Sequence, residues 1–287
     1  MIARRILVVA GAGALLLAAC SSSSKSADTT TTTTAKARPH VTIEASEYAF
    51  VIPKSLPSGW VDVTLKNNGK DGHQIAFTKL GSMSYAAYKT AVSATNVKAF
   101  ADTSVFVGGP NNVDPGQSVT ATIHLEPGQY GVACFIPAAD NKPHAAHGMV
   151  ADVTVAQTAD STETEPTETG GTITTSEFTF VVSQGFTGNG VVKFTNAGTQ
   201  VHEAILVKEK PGKTLNDVRS FFLSQNPSGP PPFDSAGGVV GIGHGQSAYQ
   251  QMDLTPGKYV LVCFFPDPNK NDLPHALEGM IKEFTVS

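Results

Sequence analysis

Residues 118–135 read SVTATIHLEPGQYGVACF, and residues 247–264 read SAYQQMDLTPGKYVLVCF. In each segment polar and apolar side chains alternate before a Pro-Gly pair, and an apolar run follows that pair. Alternation with a period of two is typical of a half-buried strand, and Pro-Gly is a turn signal. Each segment therefore predicts two strands joined by a tight turn, with Cys134 or Cys263 at the end of the second strand.

The similarity between these segments extends along most of the chain, which indicates a tandem duplication. Ser46-Glu47-Tyr48 recurs as Ser176-Glu177-Phe178, and Pro143-His144-Ala145 recurs as Pro274-His275-Ala276. The offset between matched residues is 130 at first, then 129 after a one-residue deletion, and finally 131 after a two-residue insertion. Shared positions over so long a stretch are not chance, so the two copies should have the same fold.

Short strands joined by Gly- and Pro-rich turns dominate both copies. The clearest strands are residues 60–65, 119–125, 130–135 and 149–155 in the first copy, and 190–194, 249–254, 258–263 and 281–286 in the second. Helical segments are expected near residues 84–97 and 215–224. The pattern predicts an all-β fold of two tandem Greek-key β-sandwiches, each with one short helical insertion.

Composition divides the chain into five predicted segments. They are a lipoprotein signal peptide (residues 1–20), a Ser/Thr-rich tether (21–40), a first domain (41–156), an acidic linker (157–171) and a second domain (172–287). The tether and the linker contain too few apolar residues to offset the entropy lost on ordering. We therefore expect both to be flexible and the linker to mark the domain boundary.

The first 20 residues have the features of an export signal. Arg4 and Arg5 precede an apolar run over residues 6–19 that is too short for a comfortable transmembrane helix. Leu17-Ala18-Ala19-Cys20 looks like a bacterial lipobox, in which Cys20 would be lipidated and would anchor the protein to the cell membrane. An ordinary secretory peptide cut nearby is the alternative. Both interpretations predict an exported protein, and losing the two arginines changes the net charge from −4 to −6.

Charge and composition exclude several classes of protein. Charged residues make up 15% of the chain, the net charge is −4, and no Lys/Arg cluster follows the first residues, so we expect no nucleic-acid binding. Three cysteines are too few for a disulfide-stapled scaffold. Composition does not set the oligomeric state.

Each copy contains an early histidine, then a cysteine, then a His-x4-Met element. These residues are His73, Cys134, His144 and Met149 in the first copy, and His202, Cys263, His275 and Met280 in the second. Two imidazoles and a thiolate with a weak axial thioether form the ligand set of a blue-copper electron-transfer site. Because the cysteine ends a strand and the His-x4-Met element lies on the loop into the last strand, the four side chains can meet at one end of a sandwich.

These motifs resemble those of the cupredoxin family, which includes plastocyanin, pseudoazurin and the copper domains of nitrite reductase. The resemblance rests on Asn67-Asn68-Gly69 before His73, on Tyr130-Gly-Val-Ala-Cys134, on Pro143-His144-Ala-Ala-His-Gly148-Met149, and on their counterparts in the second copy. It covers both predicted domains and implies one type 1 copper ion per domain. The implied function is one-electron transfer between partner proteins that dock transiently, outside the cytoplasmic membrane.

The sequence departs from the family pattern at two places. The interval from cysteine to histidine is 10 residues in the first copy and 12 in the second, longer than in the small carriers of the family. The residue after the first histidine is Gln74 or Glu203, where plastocyanins usually have Asn. A carboxylate at position 203 would favour Cu(II), so we expect the second site to have the lower reduction potential.

Other interpretations of the same residues stay open at this point. Cys134 and Cys263 are also compatible with buried apolar packing or with an interdomain disulfide, and Met149 and Met280 with core packing. His147 is a rival to His144 as a ligand, whereas His124 and His244 have no equivalents and are expected at the surface. Two alternative functions remain: a metal-free binding module of the cell envelope, and a protein that captures and delivers Cu(I).

The residues that flank the two cysteines argue against catalysis. Ala133, Phe135, Val262 and Phe264 occupy the positions where multicopper enzymes use histidines to connect a second copper, and His-x-His does not occur in the chain. We therefore expect a carrier and not an enzyme. A carrier needs an exposed ligand edge within a docking face, and small or apolar residues surround the loop histidines. These are Ile136, Pro137, Pro143, Ala145 and Ala146 in the first domain, and Phe265, Pro266, Leu273, Pro274 and Leu277 in the second.

Overall fold

The computed structural model describes residues 37–94, 96, 98–101, 103–159, 164–224 and 227–287. The predicted signal peptide, its lipidation site Cys20 and most of the tether lie outside these residues. Residues 36–287 form one compact unit. Within the described residues, no helix is both long enough and apolar enough to cross a membrane.

Among its described residues, the first half of this unit contains nine strands and three short helices. The strands are β1 (His40–Ser46), β2 (Ala49–Val51), β3 (Ser55–Pro57), β4 (Gly59–Asn67), β5 (Ala76–Lys79), β6 (Val105–Gly108), β7 (Ser118–Leu125), β8 (Gly128–Ala133) and β9 (Val150–Ala156). The helices are α1 (Tyr85–Ser93), α2 (Lys98–Ala101) and a 3-10 helix over His144–His147.

The part of the second half that the structure describes contains ten strands and two short helices. The strands are β10 (Gly171–Ser176), β11 (Thr179–Val182), β12 (Asn189–Asn196), β13 (His202–Glu209), β14 (Phe233–Ile242), β15 (Ser247–Asp253), β16 (Gly257–Val262), β17 (Pro266–Asp267), β18 (Leu273–Pro274) and β19 (Ile281–Val286). The helices are α3 (Leu215–Leu223) and a 3-10 helix over His275–Glu278.

Each half is a two-sheet sandwich, which confirms the predicted fold class. In the first half β2-β1-β4-β7 faces β6-β5-β8-β9-β3, and in the second half β11-β10-β12-β15 faces β14-β13-β16-β19. The eight predicted strands are all present, with ends shifted by a few residues. In place of the first predicted helical segment, α1 ends at Ser93 and α2 begins at Lys98, and the Asn96 side chain accepts a hydrogen bond from the Ala99 amide at 3.2 Å.

The two halves are joined edge to edge through both sheets. Strand β7 pairs with β15, and β6 pairs with β14, where Val107 is opposite Ile242. Buried residues of both halves belong to one apolar cluster. The described part of the acidic linker also contacts the second half, since the Thr169 amide donates to the Val191 carbonyl. The halves are therefore packed against each other.

Candidate metal centre

The first histidine of each site is held by a hydrogen-bonded loop. In the first half the Asn67 side chain donates to the carbonyls of Asp71 and Val113, each at 2.8 Å. His73 forms an isolated bridge with Val113 and precedes β5. In the second half Asn196 makes the matching contacts, and His202 is the first residue of β13.

The cysteine, the second histidine and the methionine are connected through their backbones. Cys134 follows directly after β8, and its amide donates to the Met149 carbonyl at 3.2 Å. The Met149 amide in turn donates to the His144 carbonyl at 3.0 Å. Cys263, Met280 and His275 repeat both bonds at the same distances. This ladder fixes three predicted ligands in each half relative to one another.

The unequal loop lengths do not disturb this arrangement. The His144 amide donates to the carbonyl of Ile136, two residues after its cysteine, and the His275 amide donates to Phe265 at the matching position. The two extra residues of the second loop lie beyond that bond, in the turn of the β17–β18 hairpin. Both loops therefore return their histidine to the same place.

The ligand atoms converge in both halves. In the first half the Nδ1 atoms of His73 and His144 are 3.2 Å apart, and the Cys134 sulfur is 3.5 Å from His144 Nδ1. In the second half the corresponding distances, among His202, His275 and Cys263, are 3.1 Å and 3.4 Å. All three ligand atoms of each group lie within 4.8 Å of one another. Met149 and Met280 are fully buried, and their role as axial ligands stays a prediction.

These separations fit a bound transition-metal ion. Metal–nitrogen bonds of about 2.0 Å and a metal–sulfur bond of about 2.3 Å, at angles between tetrahedral and trigonal, put the donor atoms about 3.3 to 3.7 Å apart. The donor set of two imidazoles and one thiol is the one that copper electron-transfer sites use. Both groups are therefore suited by chemistry and by spacing to hold copper.

The site is sealed from solvent, contrary to the expected exposed ligand edge. The four histidines and two cysteines of the two groups are each 0% exposed. Tyr48 covers His144 with a ring-centroid distance of 4.8 Å, and Phe178 covers His275 at 4.9 Å.

Burial sets the protonation states of the ligands. It lowers the pKa of all four histidines, and the pKa of His275, next to His202, falls to about 4. The imidazoles are therefore neutral at pH 7 and can donate a lone pair. Burial raises the pKa of the Cys134 thiol to about 12 and that of Cys263 well above its usual value. A metal ion must then displace a proton from each thiol.

The alternative assignments of the sequence are resolved in part. Both Cys134 and Cys263 are free, so the interdomain disulfide is absent. His147 is exposed and lies beside Asp140, with Nε2 3.0 Å from Oδ1, so it is not in the ligand group. His124 contacts the Trp60 ring, and His244 Nδ1 lies 2.6 Å from the Gly198 carbonyl.

Residue 203 connects the second site to the first half of the protein. The Glu203 carboxylate accepts hydrogen bonds from the Phe264 amide at 2.9 Å and from the Asn111 side chain at 3.3 Å. The Glu203 amide donates to the Cys263 sulfur at 3.4 Å. Burial raises the pKa of Glu203 to about 7.

Several residues of the predicted docking face line a cavity between the halves. Its volume is about 1070 Å³, and its walls include the residues that directly follow each cysteine. Phe135, Ile136, Phe264 and Phe265 are among them, together with Gln74 and Glu203. Part of the predicted face therefore lines this partly open cleft, whereas Leu277 is 51% exposed.

Sequence reasoning did not assign Glu47 and Glu177 to the site. One carboxylate oxygen of each lies 3.8 Å from Nε2 of the first histidine, His73 or His202. Their recurrence in the Ser-Glu pairs at residues 46–47 and 176–177 was the available signal. It could not be used, because the histidines lie 26 and 25 residues further along the chain.

No protein-family model and no curated protein sequence matches the chain. Similar solved structures include reduced auracyanin from Roseiflexus castenholzii, with 25% identity over 42% of this chain and 98% of that one and a TM-score of 0.31. A copper-containing nitrite reductase from Thermus scotoductus is 13% identical over 79% of this chain and 58% of its own, with a TM-score of 0.25. A multicopper oxidase is 14% identical over 86% and 88%, with a TM-score of 0.26.

These comparisons correct the expectation that the protein is not an enzyme. Solved structures that align with both halves of this chain include a nitrite reductase and a multicopper oxidase, which are enzymes. The missing His-x-His motif excludes only one way of placing a second copper ion and gives no ground for excluding catalysis. The chain thus has two copies of a cupredoxin-like fold, with one His-Cys-His group in each half.

Proposed function

We propose that the protein is a copper-binding electron-transfer protein with one type 1 site in each half. The observation that carries the proposal is the convergence of two imidazole nitrogens and one thiol sulfur, repeated independently at almost the same distances. When bound, copper supplies a one-electron couple between its +2 and +1 states. His73, Cys134 and His144 would hold one ion, and His202, Cys263 and His275 the other, with Met149 and Met280 as the weaker fourth ligands.

The surroundings of the sites support electron transfer. The backbone ladder between Cys134, Met149 and His144 holds the ligands in place, as the equivalent ladder does in the second half. A ligand set that is fixed before the metal arrives changes little between two oxidation states, and burial keeps water away from the ion. Both properties lower the reorganisation that accompanies each electron transfer.

Electrons would enter or leave through the aromatic covers. In the first half the His147 ring stacks on Tyr48 at 4.8 Å, and Tyr48 packs on His144, so conjugated rings connect the surface to the ligand. Redox proteins docking transiently at this end are the partners we propose. In the second half Phe178 occupies the matching position, with Lys270 above its ring at 5.2 Å.

We further propose that the protein works outside the cytoplasmic membrane, anchored as a lipoprotein. This rests on the lipobox-like sequence that ends at Cys20 and on the spacer that follows it. Metabolic labelling with a radioactive fatty acid tests the anchor. Label should appear in the parent chain and disappear in Cys20→Ser, whereas equal labelling of both would contradict the proposal.

The redox proposal is tested by loading the purified protein with Cu(II). An intense blue or green thiolate-to-copper band should appear. Its absorbance should fall by the contribution of one site in Cys134→Ser or in Cys263→Ser, and the band should be absent from the double variant. A colourless protein that binds only Cu(I) would instead indicate copper capture and delivery. A protein that binds neither ion would be a metal-free binding module.

A further inference from the structure

In both halves, one ring nitrogen of the first histidine points away from the ligand group, and this nitrogen faces a carboxylate. His73 and His202 are fully buried, and their Nδ1 atoms point toward the other ligands. Each Nε2 atom lies 3.8 Å from Oε1 of Glu47 or Glu177 and has no hydrogen-bond partner of its own. That distance is too long for a hydrogen bond, so the contact is electrostatic, between the negative carboxylate and the N–H edge of the ring.

The carboxylates are held in this position by the backbone just before each histidine. Glu47 accepts hydrogen bonds from the amides of Lys70 and Asp71, the latter at 3.0 Å. Glu177 accepts from the amides of Thr199 and Gln200, the latter at 2.9 Å. These amide contacts hold each carboxylate beside the histidine ring.

A glycine in each half makes room for the carboxylate. A Cβ atom at Gly69 would lie 2.4 Å from Glu47 Oε1 and 2.8 Å from His73 Nε2. At Gly198 it would lie 2.7 Å from Glu177 Oε1. The glutamate and the glycine recur together, although the residues that donate to the carboxylate differ between the halves.

We propose that Glu47 and Glu177 are positioning residues for the bound ion. Each carboxylate keeps the proton of the first histidine on Nε2, leaves Nδ1 free as the ligand, and adds a negative charge that stabilises Cu(II) more than Cu(I). Carboxylates behind metal-bound histidines orient the ring and strengthen it as a donor, and their loss costs about 10- to 100-fold in metal affinity. This inference rests on the proposed copper site.

Each site is tested alone, in the full chain, by removing the other cysteine. Glu47→Gln is made in a Cys263→Ser background, and Glu177→Gln in a Cys134→Ser background. Glutamine keeps an oxygen for the backbone amides but removes the charge. Cu(II) and Cu(I) affinities are measured by competition with chelators, and reduction potentials by spectroscopic titration. Glu44→Gln is the matched control, because Glu44 lies in β1 near Glu47 and pairs with Lys66 at the surface.

We expect Glu47→Gln and Glu177→Gln to weaken Cu(II) binding at least tenfold and Cu(I) binding much less. If the difference between these two losses is tenfold, the potential rises by about 59 mV. Glu44→Gln should change neither quantity by more than twofold. The unfolding midpoint of each metal-free variant should match that of its background.

Two results would overturn the inference. One is a potential and affinity in the Gln variants that match Glu44→Gln. The other is a loss of affinity accompanied by a lower unfolding midpoint of the metal-free chain, which would make the glutamate a loop clamp only. A background protein that binds no copper at all would instead refute the proposed function itself, so the two failures are distinguishable.

Discussion

The two halves have the same ligand geometry in different surroundings. Equivalent distances within the His-Cys-His groups differ by only 0.1 Å. Around them, Gln74 is replaced by Glu203, and the Tyr48 cover by Phe178. His275 Nε2 lies 3.0 Å from the Gln200 side chain, whereas His144 Nε2 is buried without a hydrogen-bond partner. The backbone ladder fixes the ligands, and the residues behind them are free to give each site its own potential.

The largest expected effect is on the copper band of the first site, and it should separate His144 from His147, the two histidines that follow Cys134. His144→Ala should abolish the copper band of the first site in a Cys263→Ser background, because it removes a ligand. His147→Ala should leave that band unchanged, since His147 is exposed and Glu278 replaces it in the second half. Absorption spectra of both Cu(II)-loaded variants make the measurement. A band that survives in His144→Ala and is lost in His147→Ala would show that His147, and not His144, is the ligand.

The next effect tests whether the halves unfold together. A Cβ atom at Gly109 would lie 2.0 Å from the Ile75 carbonyl oxygen, and one at Gly238 would lie 2.0 Å from that of Ala204. Both glycines also have positive φ, so each alanine variant should lose about 3 kcal/mol of unfolding free energy. Because the sheets are continuous, denaturant unfolding should stay a single transition in Gly109→Ala and in Gly238→Ala. Two separate transitions would show that the halves are independent.

A moderate effect is expected at the residue after the first histidine. With Glu203 ionised, as at pH 8.5, the second site should have the lower potential, because the carboxylate stabilises Cu(II). Glu203→Gln keeps the hydrogen-bonding shape and should raise that potential by about 60 mV, a tenfold change in the preference between the two oxidation states. Redox titration of the single-site variants measures both values. A first site with the lower potential would contradict this explanation.

The smallest effect concerns folding stability at a distance from the sites. Glu209 is buried at the position where the first half has Leu80. Burial, and then the neighbouring Glu283, raise the pKa of Glu209 to about 7. A raised carboxyl pKa gives stability that is complete below the unfolded value of 4.5 and lost as the pH rises through 7. Glu209→Gln should therefore add about 1 kcal/mol at pH 8 and almost nothing at pH 4.

Thermal or denaturant unfolding at the two pH values measures this difference. Lys282→Gln is a suitable control, since Lys282 donates to the Phe180 carbonyl and should show no such pH dependence. An equal effect of Glu209→Gln at pH 4 and pH 8 would contradict the assigned pKa.

The positions of Cys134 and Cys263 were predictable because both lie at the end of the most regular segments of the sequence. Alternation locates β7, the Pro-Gly turn and the apolar run that follows it locate β8, and the duplication puts Cys134 and Cys263 in the same register. The exclusion of an enzyme was wrong, because a missing motif says little about what else a sandwich pair can do.

Features that depend on tertiary packing were not predictable. The pairing of β6 with β14 joins residues more than 130 positions apart and leaves no local pattern. The burial of His144 depends on Tyr48, which packs on its ring but lies far from it in the sequence. For the same reason Glu47 could be recognised as a repeated residue but not as a neighbour of His73.

The number of copper ions that the full chain binds through cysteine tests the central claim most directly. Cu(II) is added stepwise to the metal-free protein while the thiolate-to-copper absorption and the electron paramagnetic resonance spectrum are recorded. Two converging His-Cys-His groups predict that both signals rise until two ions are bound per chain. Saturation at one ion would contradict the claim for one half, and absence of the band would contradict it for both.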